Sequence, residues 1–231
     1  MKGKDSSDHD NPISAGVLRR RVVLVSPALV VGLGFLLAGW TVPAWSPWSW
    51  FPLLLYYWGV LLLLIAWGGG GEAIRRWLQP SRRSRWIWAW RVLALVVPAL
   101  FLPPAFLPSL ASMTGQWVVV AWFGLGAINA WIEEGYWRGL LLDAASRWPG
   151  WLAVSYGAVC FGASHLLLFG LQGGAALQWT AGFLGTTIAG LIWGLVYWQT
   201  RSLRLPILGH FLQQMLAPPY NVFLQLVELL G

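Results

Sequence analysis

Three observations predict an all-α fold, a polytopic membrane helix bundle of about seven transmembrane helices. Hydrophobic residues make up 58% of the 231-residue chain and charged residues only 10%, against roughly 25% charged in a soluble domain. So few ionisable side chains cannot build the polar shell that a water-soluble fold needs. Mean hydropathy is +0.62 and nineteen residues are Trp, a composition suited to a surface that faces lipid. The apolar residues also gather in runs of about 17–25, the length that crosses a bilayer core as helix. A helix satisfies its own backbone hydrogen bonds, which lipid cannot do. The single cysteine, Cys160, excludes an internal disulfide and a Cys-based metal cluster.

The elements follow in order. Residues 1–17 are polar and are expected to form a disordered cytoplasmic tail. Residues 18–231 then form one transmembrane domain, with no repeat and no second domain. Arg19, Arg20 and Arg21 precede a first span from Val22 to about Trp40, too long for a signal-peptide core. Further spans are expected near 50–67, 88–107, 116–136, 150–169, 176–199 and 205–228. Pro98, Pro103 and Pro104 interrupt the third. Gly68 to Gly71 reads as a flexible break, Pro149-Gly150 as a turn, and Pro206 as a residue in the tolerated first turn of the last span. Gly190 and Gly194 form a GxxxG pair. Such a pair serves either a dimer face or, more commonly, close helix packing inside the bundle.

Charge then sets orientation. In a soluble protein the net charge of +7 would point to nucleic acid. Here all fifteen Lys and Arg residues fall in the N-terminal segment or around alternate connections, and the loops near 41–49, 108–116 and 170–175 contain none. Positive residues stay cytoplasmic. The expectation is therefore an N-terminus inside, a C-terminus outside, a lipid-bilayer environment and no nucleic-acid partner. The oligomeric state is left open.

Ionisable groups inside spans are costly and mark functional candidates. Glu133, Glu134 and Arg138 lie in span four, His165 in span five, and His210, followed by Gln213-Gln214, in span seven. Glu133 is sixteen residues before Pro149 and His165 sixteen after it. A hairpin folded at that turn puts both at one height, about 24 Å from the turn. His210 lies about 10 Å along its helix from the Arg201–Arg204 connection, so the three segments can meet. Glu134 and Arg138, four apart, can pair and leave Glu133 for general-base chemistry. A histidine can orient the same water, and a second histidine with an amide can stabilise an oxyanion. The same atoms could instead hold a divalent metal such as zinc through Glu133, His165 and His210. The chain lacks H-E-x-x-H and G-x-S-x-G, so neither an ordinary zinc protease nor a serine hydrolase elbow is expected.

These segments resemble the CPBP family of intramembrane proteases, the CAAX prenyl endopeptidases and their bacterial bacteriocin-processing and immunity-type relatives. The motifs that carry the resemblance are Glu133-Glu134-x-x-x-Arg138, Phe161-x-x-x-His165 and His210 with the residue four beyond, within 116–214. The third motif departs from the family, with Gln214 in place of Asn or Asp. The resemblance implies that Glu133 acts on the attacking water with help from His165, and that His210 and Gln214 stabilise the oxyanion. It implies an intramembrane endopeptidase acting on a membrane-associated protein or peptide, in a bacterial cytoplasmic membrane. A non-catalytic scaffold or immunity or secretion accessory protein is the alternative, and a small proton-linked transporter a third.

Overall fold

The structure, a computed structural model, describes residues 12–45, 48, 50–80, 86–100, 116–169 and 176–216. Every element among them is helical: α1 (Pro12–Trp45), α2 (Trp50–Gly68), α3 (Gly70–Trp77), α4 (Ile87–Leu100) and α5 (Gln116–Glu134). A π-helical turn, Gly135–Leu140, continues α5 into the short α6 (Leu141–Ala144), followed by α7 (Gly150–Phe169), α8 (Ala176–Thr200) and α9 (Arg204–Leu216). Three helices are long and apolar enough to cross a bilayer, over Gly16–Pro43, Trp50–Gly68 and Gly150–Leu167. The expected count of about seven is not established. Spans three and seven run into 101–115 and 217–231, and the loop at 170–175, like tail residues 1–11, also lies outside the described residues.

α1 is longer than its apolar run at both ends. It starts at Pro12, inside the stretch expected to be a disordered tail, because proline suits a helix N-terminus. Its far end includes Pro43 and reaches Trp45. Pro27 sits mid-helix and cannot donate to the carbonyl of Val23, four residues back. The Ser26 hydroxyl replaces that bond, donating to Val23 O at 2.8 Å, so no backbone acceptor is stranded in lipid. The same hydroxyl meets Tyr136 Oη at 2.6 Å, tying α1 to the π turn.

The glycine break after α2 is a tight corner rather than a loose one. Gly70 has φ +70°, open to glycine at no steric cost, and α3 begins there. α3 then lays Trp77 across Gly139, where an added Cβ would come within 2.9 Å of the indole. The GxxxG pair packs inside the chain: Gly190 faces Ala158 and Gly194 faces Val154 of α7, the bland alternative of the two. Pro206 lies in the first turn of α9 as expected.

Candidate active site

Every residue from Ile132 to Leu142 is buried. This stretch is the inner post of the bundle, surrounded by α2, α3, α7, α8 and α9. The π-helical turn begins directly after Glu134. One extra residue per turn shifts the downstream side chains around the axis, and such turns recur at functional sites. The hairpin register holds as the spacing predicts. Trp137 and Phe161, each twelve residues from Pro149, meet edge to face with centroids 6.0 Å apart.

Arg138 pairs with Glu134 at 2.8 Å, as the i, i+4 spacing requires. The guanidinium is 2% exposed and the glutamate 0%, so each neutralises a charge that could not stay alone in this environment. Phe161 carries the guanidinium on its face, Cζ to centroid 4.1 Å, and Trp193 lies 5.5 Å away. That is a cation–π seat built from the first residue of the Phe161-x-x-x-His165 motif.

His210 stands between the two glutamates. Its Nδ1 lies 2.8 Å from Glu134 Oε1 and its Nε2 lies 3.3 Å from Glu133 Oε2. Trp193 stacks on the ring at 4.8 Å and 19°, and Phe161 meets its edge at 5.9 Å. The Trp193 indole is itself held by Ala94 O at 3.3 Å, so α4 helps fix the imidazole plane. The ring therefore links the two carboxylates, and with Arg138 it sets cationic groups against anionic ones, as ionisable groups buried together require.

Glu133 is fully buried. Its Oε2 accepts from Asn129 Nδ2 at 3.1 Å, and Asn129 Oδ1 accepts from Trp58 Nε1 at 2.6 Å. An indole nitrogen can only donate, which fixes the amide so that its NH2 faces Glu133. Glu133 Oε1, by contrast, has no hydrogen-bond partner in the protein among the described residues, nor do Glu134 Oε2 and Arg138 Nη2. Buried oxygens of this kind are rare. Here three unsatisfied polar atoms belong to one cluster.

His165 is buried on α7 and its Nδ1 lies 2.9 Å from Phe161 O. A carbonyl only accepts, so Nδ1 carries the proton and Nε2 the lone pair when the ring is neutral. His165 lies within electrostatic reach of Glu133, His210 and Arg138. Next to it Ser164 Oγ meets Tyr57 Oη at 3.1 Å, and Trp137 Nε1 donates to the same tyrosine oxygen at 2.8 Å. Gln214 is only half-buried. Its Oε1 lies 3.4 Å from where a Gly126 Cβ would stand, two helical turns before Glu133, so it sits deeper along the bundle than His210.

Both His210 nitrogens face carboxylate oxygens, so its donor pair is committed, and no group of three or more His, Cys, Asp and Glu among the described residues is disposed to hold an ion. The sequence reading also missed residues that shape the site. Asn129, Tyr57, Trp58 and Trp193 hold or flank the acid–base pair, and none was singled out. Asn129 had a signal, being an amide one turn before Glu133 in an apolar helix. The aromatic residues had none, because nineteen Trp hide the few that matter.

Residues 115–216 match the family described as Type II CAAX prenyl endopeptidase Rce1-like, a protease family. The match covers the stretch that carries all three motifs. No curated protein and no solved structure matches the chain.

Proposed function

With residues 115–216 a segment of the Rce1-like type II CAAX prenyl endopeptidase family, we propose that the protein is an intramembrane endopeptidase. It cleaves a peptide bond of a membrane-associated protein or peptide by water attack. The observation that carries this is the state of Glu133: one carboxylate oxygen accepts from Asn129 and lies beside His210, and the other is buried with no hydrogen-bond partner among the described residues. That second oxygen is the acceptor for a water.

Glu133 Oε1 takes a proton from the water as its oxygen bonds to the scissile carbonyl carbon, with His165 orienting the same water. When Glu133 gains the proton it loses its charge and its hold on His210 Nε2–H, the longer of that ring's two contacts at 3.3 Å. The N–H then turns to the oxyanion, whereas Gln214, two turns away beside Gly126, would have to swing toward His210 to share that role. The intermediate collapses by breaking its C–N bond, and Glu133 returns its proton to the leaving nitrogen. Glu134 stays paired with Arg138 and keeps His210 oriented, while the oxyanion carries the negative charge that Glu133 gives up. None of these steps draws on a metal. The active site opens toward the side that bears the basic residues, the cytoplasm, of a cytoplasmic membrane.

The test compares membrane-protein termini in cells carrying the wild-type chain with those carrying Glu133→Gln or His165→Ala. New termini present only with the wild type, together with folded variants in detergent, are expected. Full cleavage in either variant sinks the mechanism.

A further inference from the structure

The mechanism leaves unused a polar cleft of about 540 Å³ lined by Arg76, Gln79, Asp143, Ser146, Tyr197 and Arg201. It lies where α3, α6 and the α8–α9 connection converge, on the face toward which the basic residues gather. Asp143, nine residues beyond Glu134, is its hub. Its Oδ2 accepts from Arg76 Nη2 at 2.7 Å and Trp77 Nε1 at 3.0 Å, and its Oδ1 accepts from Tyr197 Oη at 2.8 Å. Arg201 Nη1 comes within 3.8 Å of the same oxygen.

The charge does not balance. Two guanidiniums share one carboxylate, whose oxygens are already engaged by the indole and the phenol as well. A guanidinium has five N–H donors in a rigid fork, so among the described residues most of the donors on Arg76 and Arg201 remain for another acceptor. Arg201 adds an independent sign. Its φ is +53°, and among the described residues it is the non-glycine at positive φ. A residue just past a helix C-terminus in this conformation is by default glycine, and arginine there bears a steric cost that glycine would not. The guanidinium is also placed over the Trp198 ring, 4.5 Å from its centroid. The backbone strain is thus spent on holding a cation at the cleft.

We infer that this cleft binds a phosphate-bearing anion, gripped by the forks of Arg76 and Arg201 with Ser146 and Gln79 as neutral donors. Two sources share that chemistry: the headgroup of an anionic phospholipid at the membrane surface, and a free phosphate. The level of the cleft, beside the basic connections, favours the lipid.

The test follows thermal unfolding of the full chain in nanodiscs of phosphatidylcholine alone or with phosphatidylglycerol, and in phosphatidylcholine with added inorganic phosphate. The wild type is expected to unfold at higher temperature with phosphatidylglycerol. Arg201→Gly, which relieves the backbone while removing the cation, should lose that shift without lowering the unfolding temperature in phosphatidylcholine. Arg147→Gln, which removes an exposed charge outside the cleft, should keep it. An equal shift from inorganic phosphate, also lost in Arg201→Gly, would assign the site to free phosphate. No shift with either anion, or a shift that Arg201→Gly retains or Arg147→Gln abolishes as fully, would overturn the inference.

Discussion

At the level of single residues, the acid–base pair is set by neighbours that do not themselves react. Asn129 holds Glu133 Oε2 and is in turn oriented by Trp58. Asn129→Leu removes that hold and leaves the carboxylate to re-pair with its neighbours. Since small misplacement of a catalytic group can cost about 100-fold, kcat is expected to fall by roughly 10- to 100-fold with KM little changed. Trp58→Phe should move kcat the same way but less, because the amide keeps its place and loses only its orientation. Equal kcat in wild type and Asn129→Leu would refute the positioning role. Arg138 carries a different burden. Arg138→Leu leaves Glu134, 0% exposed, with His210 as its remaining partner, and breaking a buried ion pair on one side costs up to about 3–5 kcal/mol. Thermal unfolding in detergent should register that loss as a large fall in midpoint, whereas Glu133→Gln should leave the midpoint nearly unmoved.

At the level of elements, close approach is what lets helices from distant parts of the chain share one site. α7 and α8 meet through Gly190 and Gly194, where an added Cβ would lie 3.0 Å from Ala158 Cα and 3.0 Å from Val154 Cγ1. Gly190→Leu therefore overpacks the interface, at about 1–3 kcal/mol, and displaces Phe161, whose ring also lies near Gly190. Lower stability and lower activity are expected with no change in size-exclusion profile. A change of oligomeric state instead would return the motif to a dimer face. The π turn acts in the same spirit, since it turns Tyr136, Trp137 and Arg138 inward together. Tyr136 is held by Ser26 of α1, and Arg20 of α1 donates to Ala144 O at 2.6 Å. The first helix thus clamps the hairpin that carries the glutamates.

For the molecule as a whole, the orientation proposed from the basic residues has a direct check. In a Cys160→Ala background, single cysteines at Trp48 and at Arg147 should react with an impermeant thiol reagent from opposite sides of the membrane, Arg147 from the cytoplasm. Labelling from the same side would refute that orientation. Much of the architecture was legible beforehand because membrane physics acts on composition. Long apolar runs must be helical, and a buried carboxylate needs a partner, so the α1, α2 and α7 spans and the Glu134–Arg138 pair could be read from spacing. The start of α1, the Gly70 corner and the π turn could not. They depend on backbone geometry at single residues, where local preference is weak against packing from several sides.

The sequence by itself determined that this chain lives in a membrane, and which few polar residues had to find partners there, since hydrocarbon tolerates neither exposed backbone nor lone charge. Spacing along helices was enough to bring Glu133, His165 and His210 to a common level. Only the tertiary structure decided how they divide their contacts. His210 bridges both glutamates, Asn129, oriented by Trp58, donates to one oxygen of Glu133, and the other oxygen has no hydrogen-bond partner among the described residues. Periodicity gives a residue its height and face, whereas the direction of its hydrogen bonds depends on side chains brought in from other helices, and those meet only in the folded bundle.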